Sequence, residues 1–179
     1  MGNFLSNYRI PISFFVLAVF FFLARPTPGS LLAGLPLVLL GVGLRIWASG
    51  DIRKNDELAT KGPYALTRNP LYLGNFLMGL GFSLMAARLW LVLIFFVVFY
   101  GIYHATIRKE EEVLQVRFVD DFDRYKQSVP RFFPRWPSSR DRLREKVFDW
   151  RLVKQHREYR NWLGVTAIFL LMVLKLILR

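Results

Sequence analysis

The stretch Gly62-Pro63-Tyr64-Ala65-Leu66-Thr67-Arg68-Asn69-Pro70-Leu71-Tyr72-Leu73-Gly74 is a short polar link between long apolar runs. Gly62-Pro63 breaks any helix arriving from upstream. Asn69-Pro70 biases Asn69 away from the α region, and Pro70 suits the first turn of a new helix. The residues that follow, Leu71 to Met85, are apolar. Arg68 and Asn69 therefore fall at a helix N-terminus, where free N–H groups and the positive dipole end favour anionic ligand groups. Tyr64, Arg68, Asn69 and Tyr72 put a cation, an amide and two phenols together at the edge of an apolar layer. Two readings fit: a helix cap with an interfacial anchor, or a binding site.

Working outward, the chain of 179 residues is the size of one domain, 1–179. It is 54% hydrophobic, and its 17 Phe lie in blocks with the other apolar residues. That pattern predicts an all-α, polytopic membrane protein with about five transmembrane helices. Ile10 to Ala24 forms the first run. It could pass for a signal-peptide core, but Arg25-Pro26-Thr27-Pro28 is no small-residue cleavage site. A second run, capped by Ser30, reaches Ala48 and completes a pair of N-terminal helices over 10–48. Its Gly34, Gly41 and Gly43 allow close helix contact, and Arg45 near its end can snorkel or face a polar cavity. A polar connector fills 49–70. Leu71 to Met85 and Leu89 to His104 are separated only by Ala86-Ala87-Arg88, which forces an antiparallel hairpin. Gly74, Gly79 and Gly81 thin the first arm so that the second can approach.

The second arm continues as IRKEEEVLQVRF. On a helix, Tyr103, Ile107 and Leu114 form one apolar stripe, with Glu110 and Glu111 flanking it and Glu112 pointing away. His104, Arg108 and Glu111 fall on one side, at i, i+4 and i+7. Either these are local ion pairs on a solvated helix end or they face a pocket. Phe118, Phe122 and Tyr125 then mark an amphipathic helix, ended by Val129-Pro130 and followed by an extended interfacial segment. The hairpin and this segment span 71–134. Residues 135–161 read as a basic surface helix contacting anionic membrane lipids, and 162–179 as a last transmembrane helix.

The net charge is +12, and residues 104–161 hold 15 of the 25 Lys and Arg. A nucleic-acid tail is the rival reading and fits poorly, because the same segment carries 10 acids and runs into another apolar block. The absence of Cys excludes disulfides and Cys-based sites, and with two His no metal centre is expected. The basic excess in 49–70 and 105–161 puts both in the cytoplasm, so both candidate site elements share the cytoplasmic face.

Gly62-Pro63-Tyr64 with Arg68-Asn69-Pro70-Leu71-Tyr72-Leu73-Gly74 resembles one signature of the isoprenylcysteine carboxyl methyltransferase and phospholipid methyltransferase superfamily. Glu110-Glu111…Leu114…Phe118…Phe122…Tyr125…Val129-Pro130-Arg131…Pro134 resembles the other. The likeness covers roughly 40–134. Asn69 stands where many relatives carry His, Val119 replaces a usual Gly and Phe122 a Tyr. The resemblance implies a membrane methyltransferase using S-adenosylmethionine without a Rossmann fold, and the chain has no G-x-G-x-x-G after a strand. It further implies that Tyr64, Arg68, Asn69, Tyr72, His104, Glu110 and Glu111 line the cofactor pocket. The acceptor would be lipid-like or prenylated. A carboxylate acceptor needs a cation, for which Arg68 and then Arg108 are candidates, whereas an amine needs a base such as a Glu or His104. The competing readings are an NADPH-dependent sterol or isoprenoid reductase and a non-catalytic membrane scaffold.

Overall fold

A computed structural model describes residues 19–52, 57–136 and 148–178. Most of the first apolar run and the charged stretch 137–147 therefore lie outside the described residues. After a helical stretch at 19–23 come α1 (Pro28–Asp51), a 3₁₀ turn (Gly62–Ala65), α2 (Pro70–Met85) and α3 (Leu89–Arg117). They are followed by α4 (Val119–Ser128), α5 (Trp150–Gln155) and α6 (Glu158–Ile177). The described residues contain no strand. Three helices, α1, α3 and α6, are long and apolar enough to cross a membrane. With 16 residues, α2 is shorter than the roughly 20 a full span needs. Of the five expected spans, three thus have the required length among the described residues.

The start of α1 lies three residues before the expected one. Thr27 is its N-cap, Pro28 opens the first turn, and Ser30 is the reciprocal partner in a capping box rather than the cap itself. The Ser30 hydroxyl also donates to Met85 O at the end of α2 (2.9 Å).

The tightest packing is between α1 and α2, which run antiparallel. A Cβ on Gly34 would sit 2.3 Å from Gly81 O, and one on Gly41 would sit 2.6 Å from Gly74 O. The backbones touch at two levels seven residues apart, a stripe of small residues that replaces side-chain bulk with direct contact. This corrects the expectation that Gly74 and Gly81 serve the hairpin. They face α1, and only Gly79 faces the second arm, against the Phe95 ring. Two residues from Gly81 along a helix is about half a turn, so Gly79 lies on the opposite side. Gly43 meets nothing within 4 Å.

The α2–α3 hairpin closes through rings rather than small residues. Phe76 meets Phe95, Phe96 and Phe99 at centroid distances of 5.7, 5.8 and 5.1 Å, and Tyr72 meets Tyr103 edge-on at 5.2 Å. Phe118 kinks the chain out of α3 into α4. Phe122, Tyr125 and Val129 then form a small core with Leu58, Leu114 and Phe118 against it, as the 118/122/125 spacing predicts.

The region expected as one basic surface helix is broken where it is described. α5 ends at Gln155, Arg157 takes a left-handed φ of 55°, and α6 begins at Glu158, four residues before Trp162. Nor is α5 free on the surface. The last carbonyls of α1 have no partner inside their own helix. Asp149 N donates to Gly50 O (2.9 Å) and His156 Nδ1 to Ser49 O (3.0 Å). Val153 is buried there, and the Phe148 ring covers Gly50. From that end α6 runs back along α1, and its Met172 joins Ala24, Ala86 and Leu91 in a core at the other end. There Lys175 donates to the carbonyls of Phe21 and Phe22.

Candidate functional site

The 62–70 link is not a loose interfacial connector. Gly62, Pro63, Tyr64 and Ala65 are all buried. Gly62 has a φ of +54°, and a Cβ there would sit 1.9 Å from Asp51 Oδ2, so glycine is needed twice over. The link pairs with the extended segment after α4: Arg68 N donates to Pro130 O (2.9 Å) and Arg135 N to Leu66 O (3.0 Å). The Thr67 hydroxyl reaches Phe132 O (2.9 Å), and Tyr125 Oη donates to Tyr64 O (2.7 Å). Asn69 occupies the cap position of α2 but makes no capping bond. Its amide Nδ2 donates to Arg131 O (2.9 Å), which fastens the two segments together.

This clamp puts Arg68 against the end of α3. Arg68 Nη2 lies 3.2 Å from Glu111 Oε1, within ion-pair range but without hydrogen-bond alignment. Arg131 Nη2 lies 2.7 Å from Glu111 Oε2. The side chains of Arg68 and Glu111 are each only 10% exposed. Arg68 Nε and Nη1 are buried without a partner. Its guanidinium also lies 5.9 Å from the Phe122 ring centre. Burial lowers the Arg68 pKa, and Glu111 works against that shift. Beside this pair, Tyr72 Oη donates to Glu110 Oε1 at 2.6 Å. The Tyr64 hydroxyl is buried and unpartnered. Burial, with smaller contributions from Tyr125, Asp51 and Glu110, drives that phenol well above its usual range, so it stays protonated and able to donate.

Five of the seven expected pocket residues thus make side-chain contacts in the candidate cleft, Arg68 with Glu111, Asn69 with Arg131 O and Tyr72 with Glu110, while Tyr64 is buried in the adjoining 3₁₀ turn. His104 and Arg108 do not join them. Both are exposed, and His104 stacks on Tyr100 (5.1 Å). The helical wheel is right that His104 shares a side with Glu111. The segment that covers Glu111, however, lies two turns further along and leaves His104 bare. Glu112 is exposed, as its position on the wheel predicts. The residue that sequence reasoning left without a role is Arg131, the second cation on Glu111. It stands inside the Val129-Pro130-Arg131 motif, which was the available signal.

Next to the cleft, α1 and α2 leave an open apolar groove of about 650 Å³. Leu40, Leu44 and Trp47 line one wall and Leu73 and Leu77 the other, while Leu66 and Thr67 border it beside Arg68. Among the described residues no group of three or more His, Cys, Asp or Glu could hold a metal ion.

Residues 30–121 match the phospholipid methyltransferase family. The cobalt-zinc-cadmium resistance protein CzcN of Cupriavidus metallidurans is 37% identical over 147 residues, covering 75% of this chain and 68% of that protein. The nickel-cobalt-cadmium resistance protein NccN of Alcaligenes xylosoxydans xylosoxydans is 39% identical over 103 residues, 54% of this chain and 48% of its own length. A protein-S-isoprenylcysteine O-methyltransferase of Schizosaccharomyces pombe is 28% identical over 109 residues, 61% of this chain and 46% of its own length. The chain thus spans about half the length of the second and third of these proteins. No solved structure matches it.

Proposed function

Because the chain belongs to the phospholipid methyltransferase family, we propose that it is an S-adenosylmethionine-dependent membrane methyltransferase acting on a lipid-like or prenyl-like acceptor. One observation carries this reading: the buried Arg68, paired with Glu111 yet holding two unpartnered donors, Nε and Nη1. Unsatisfied buried donors are costly, and a carboxylate placed against them recovers that cost. S-adenosylmethionine presents a carboxylate, an ammonium and two ribose hydroxyls. The residues fit that set: Arg68 would hold the carboxylate, while Glu111 and Glu110 would accept from the ammonium or the hydroxyls. When bound it supplies a methyl group already activated on a sulfonium, so the protein's work is to align, enclose and exclude water.

For the acceptor, we favour a carboxylate over an amine. A carboxylate needs no base, and with Arg68 given to the donor's carboxylate, the half-exposed Arg131 beside Glu111 offers a second cation at the site. The histidine expected as an alternative base, His104, is exposed away from it. The apolar groove ending at Thr67 suits an acyl or prenyl tail, which a bilayer-embedded substrate would carry. The cleft would open on the cytoplasmic side, following the basic excess of the connector and of 105–161. The basic segment 135–161 would contact anionic membrane lipids.

The test is calorimetry on protein in mild detergent with S-adenosylmethionine and, separately, NADPH. Saturable binding of the first alone supports the reading. Binding of NADPH alone moves it to the reductase class, and binding of neither by folded protein moves it to the scaffold. Labelled methyl transfer into membrane lipid extracts then identifies the acceptor type. A base-labile product is an ester, and a base-stable one overturns the carboxylate preference.

A further inference from the structure

A second buried charge pair lies deeper in the bundle, outside the cleft. Glu158, the first residue of α6, grips Arg45 of α1 with both carboxylate oxygens: Oε1 to Nη2 at 2.6 Å and Oε2 to Nε at 3.1 Å. Their side chains are 6% and 16% exposed. The third face of the guanidinium is used as well, since Arg45 Nη1 donates to Asn75 Oδ1 of α2 (2.7 Å). Asn75 Nδ2 in turn donates to Tyr103 Oη of α3 (3.3 Å). The Tyr103 ring packs edge-on against Tyr72 (5.2 Å), whose hydroxyl holds Glu110 (2.6 Å). Gly74 makes room for the arginine, because a Cβ there would lie 2.5 Å from Arg45 Cγ. A chain of contacts, hydrogen-bonded except for the Tyr103–Tyr72 ring packing, therefore crosses four helices and ends on a carboxylate of the candidate site.

Such a chain is a poor way to gain stability. A buried ion pair gains little over a well-packed apolar pair, because desolvation offsets its attraction. Charges set among membrane helices mark functional positions by default. What the pair provides is direction: a planar guanidinium held at three faces fixes the Asn75 amide, and the amide fixes a phenol. Glu158 also lies beyond residues 30–121, so the stretch matching the family contains every link of the chain except the one that anchors it.

We propose that Glu158 is a positioning residue for the methyl-donor site, acting through Arg45, Asn75, Tyr103 and Tyr72 on the Glu110 carboxylate. This rests on the methyltransferase reading. Two variants test it: Glu158→Gln, and the double Arg45→Leu/Glu158→Leu, which removes both charges and so avoids stranding one. Each is measured as intact protein in detergent for thermal midpoint and for S-adenosylmethionine affinity. A single 3-fluorotyrosine at position 72 is read by ¹⁹F NMR in the same backgrounds. The expected result is an affinity about tenfold weaker in both variants and a displaced Tyr72 line, with the double variant regaining the wild-type midpoint. A double variant with both wild-type affinity and an unmoved Tyr72 line reduces the pair to a structural clip and overturns the proposal. If the wild-type protein binds no S-adenosylmethionine, the methyltransferase reading fails by itself. The fluorine line still decides the coupling: movement upholds the chain from Glu158 to Tyr72, and no movement refutes it.

Discussion

Glu111→Gln is the sharpest perturbation of the site, because it removes one charge and almost no volume. The carboxylate stands between Arg68 at 3.2 Å and Arg131 at 2.7 Å. For two unit charges about 4 Å apart at an effective dielectric of ~20, the gross attraction is about 4 kcal/mol. Glu111 regains solvation energy when neutralised, so we take about half of that, ~2 kcal/mol, as the net loss against Arg68. The Arg131 side chain is 46% exposed, so its pair is screened and adds ~1 kcal/mol at most. The total of about 3 kcal/mol corresponds to a fall in midpoint of roughly 6–12 °C for a chain of this size. Donor affinity should drop at least tenfold, about 1.4 kcal/mol. Both are read in mild detergent, the first by thermal unfolding followed by circular dichroism and the second by calorimetry. Glu112→Gln, one residue along on the exposed side of α3, should leave both unchanged. A Glu111→Gln protein within about 2 °C of wild type, and binding the donor normally, would refute the buried-pair reasoning outright.

Four further outcomes follow from the same coordinates. Arg68→Lys should bind the donor near neutral pH and lose it as pH rises toward 9.5. The desolvation that lowers the Arg68 pKa would lower that of a lysine from a much smaller starting value, and the charged form disappears above the pKa; wild type, affected only through the donor's own ammonium, should lose less over that range in a calorimetric pH series. Gly34→Ala would place a Cβ 2.3 Å from a backbone carbonyl that cannot yield, so we expect about 1–3 kcal/mol of destabilisation in thermal unfolding. Gly43→Ala, with nothing within 4 Å, should be neutral or slightly stabilising. Tyr125→Phe strips the buried bond to Tyr64 O and should cost ~1–2 kcal/mol by the same assay, with proteolysis inside 62–70 as an independent sign that the clamp has loosened.

Much of this architecture is legible in the sequence because it depends on local signals. Pro70 after Asn69 starts α2, Ala86-Ala87-Arg88 turns the hairpin, and the spacing of Phe118, Phe122 and Tyr125 gives the buried face of α4. The helix wheel finds the direction of Glu110, Glu111 and Glu112 but not which level of a long helix is covered, so it gathers His104 and Arg108 into a cleft they do not reach. The glycine stripe shows the same limit. Gly74, Gly79 and Gly81 announce close packing without naming the partner, and the partner of two of them proves to be α1. Arg45 and Glu158 stand 113 positions apart, a pairing that no periodicity could join.

The Arg68 cation and the apolar groove place different demands on one small region. At the cleft, Arg68 keeps two buried donors open, which an arriving anion would use. Four residues after Asn75, α2 is already packed against rings, and the groove beside Thr67 is lined by leucines. The donor's carboxylate would use the open Arg68 donors and leave the groove to the acceptor. An acceptor with an anionic head and an apolar tail would set its head at the clamp of 66–69 against 130–135, near Arg131, and its tail along α1. The clamp rests on backbone bonds at Arg68, Leu66, Pro130 and Arg135 and on the Thr67, Asn69 and Tyr125 side chains, so substitutions elsewhere around the cleft can retune the head group while the frame stays.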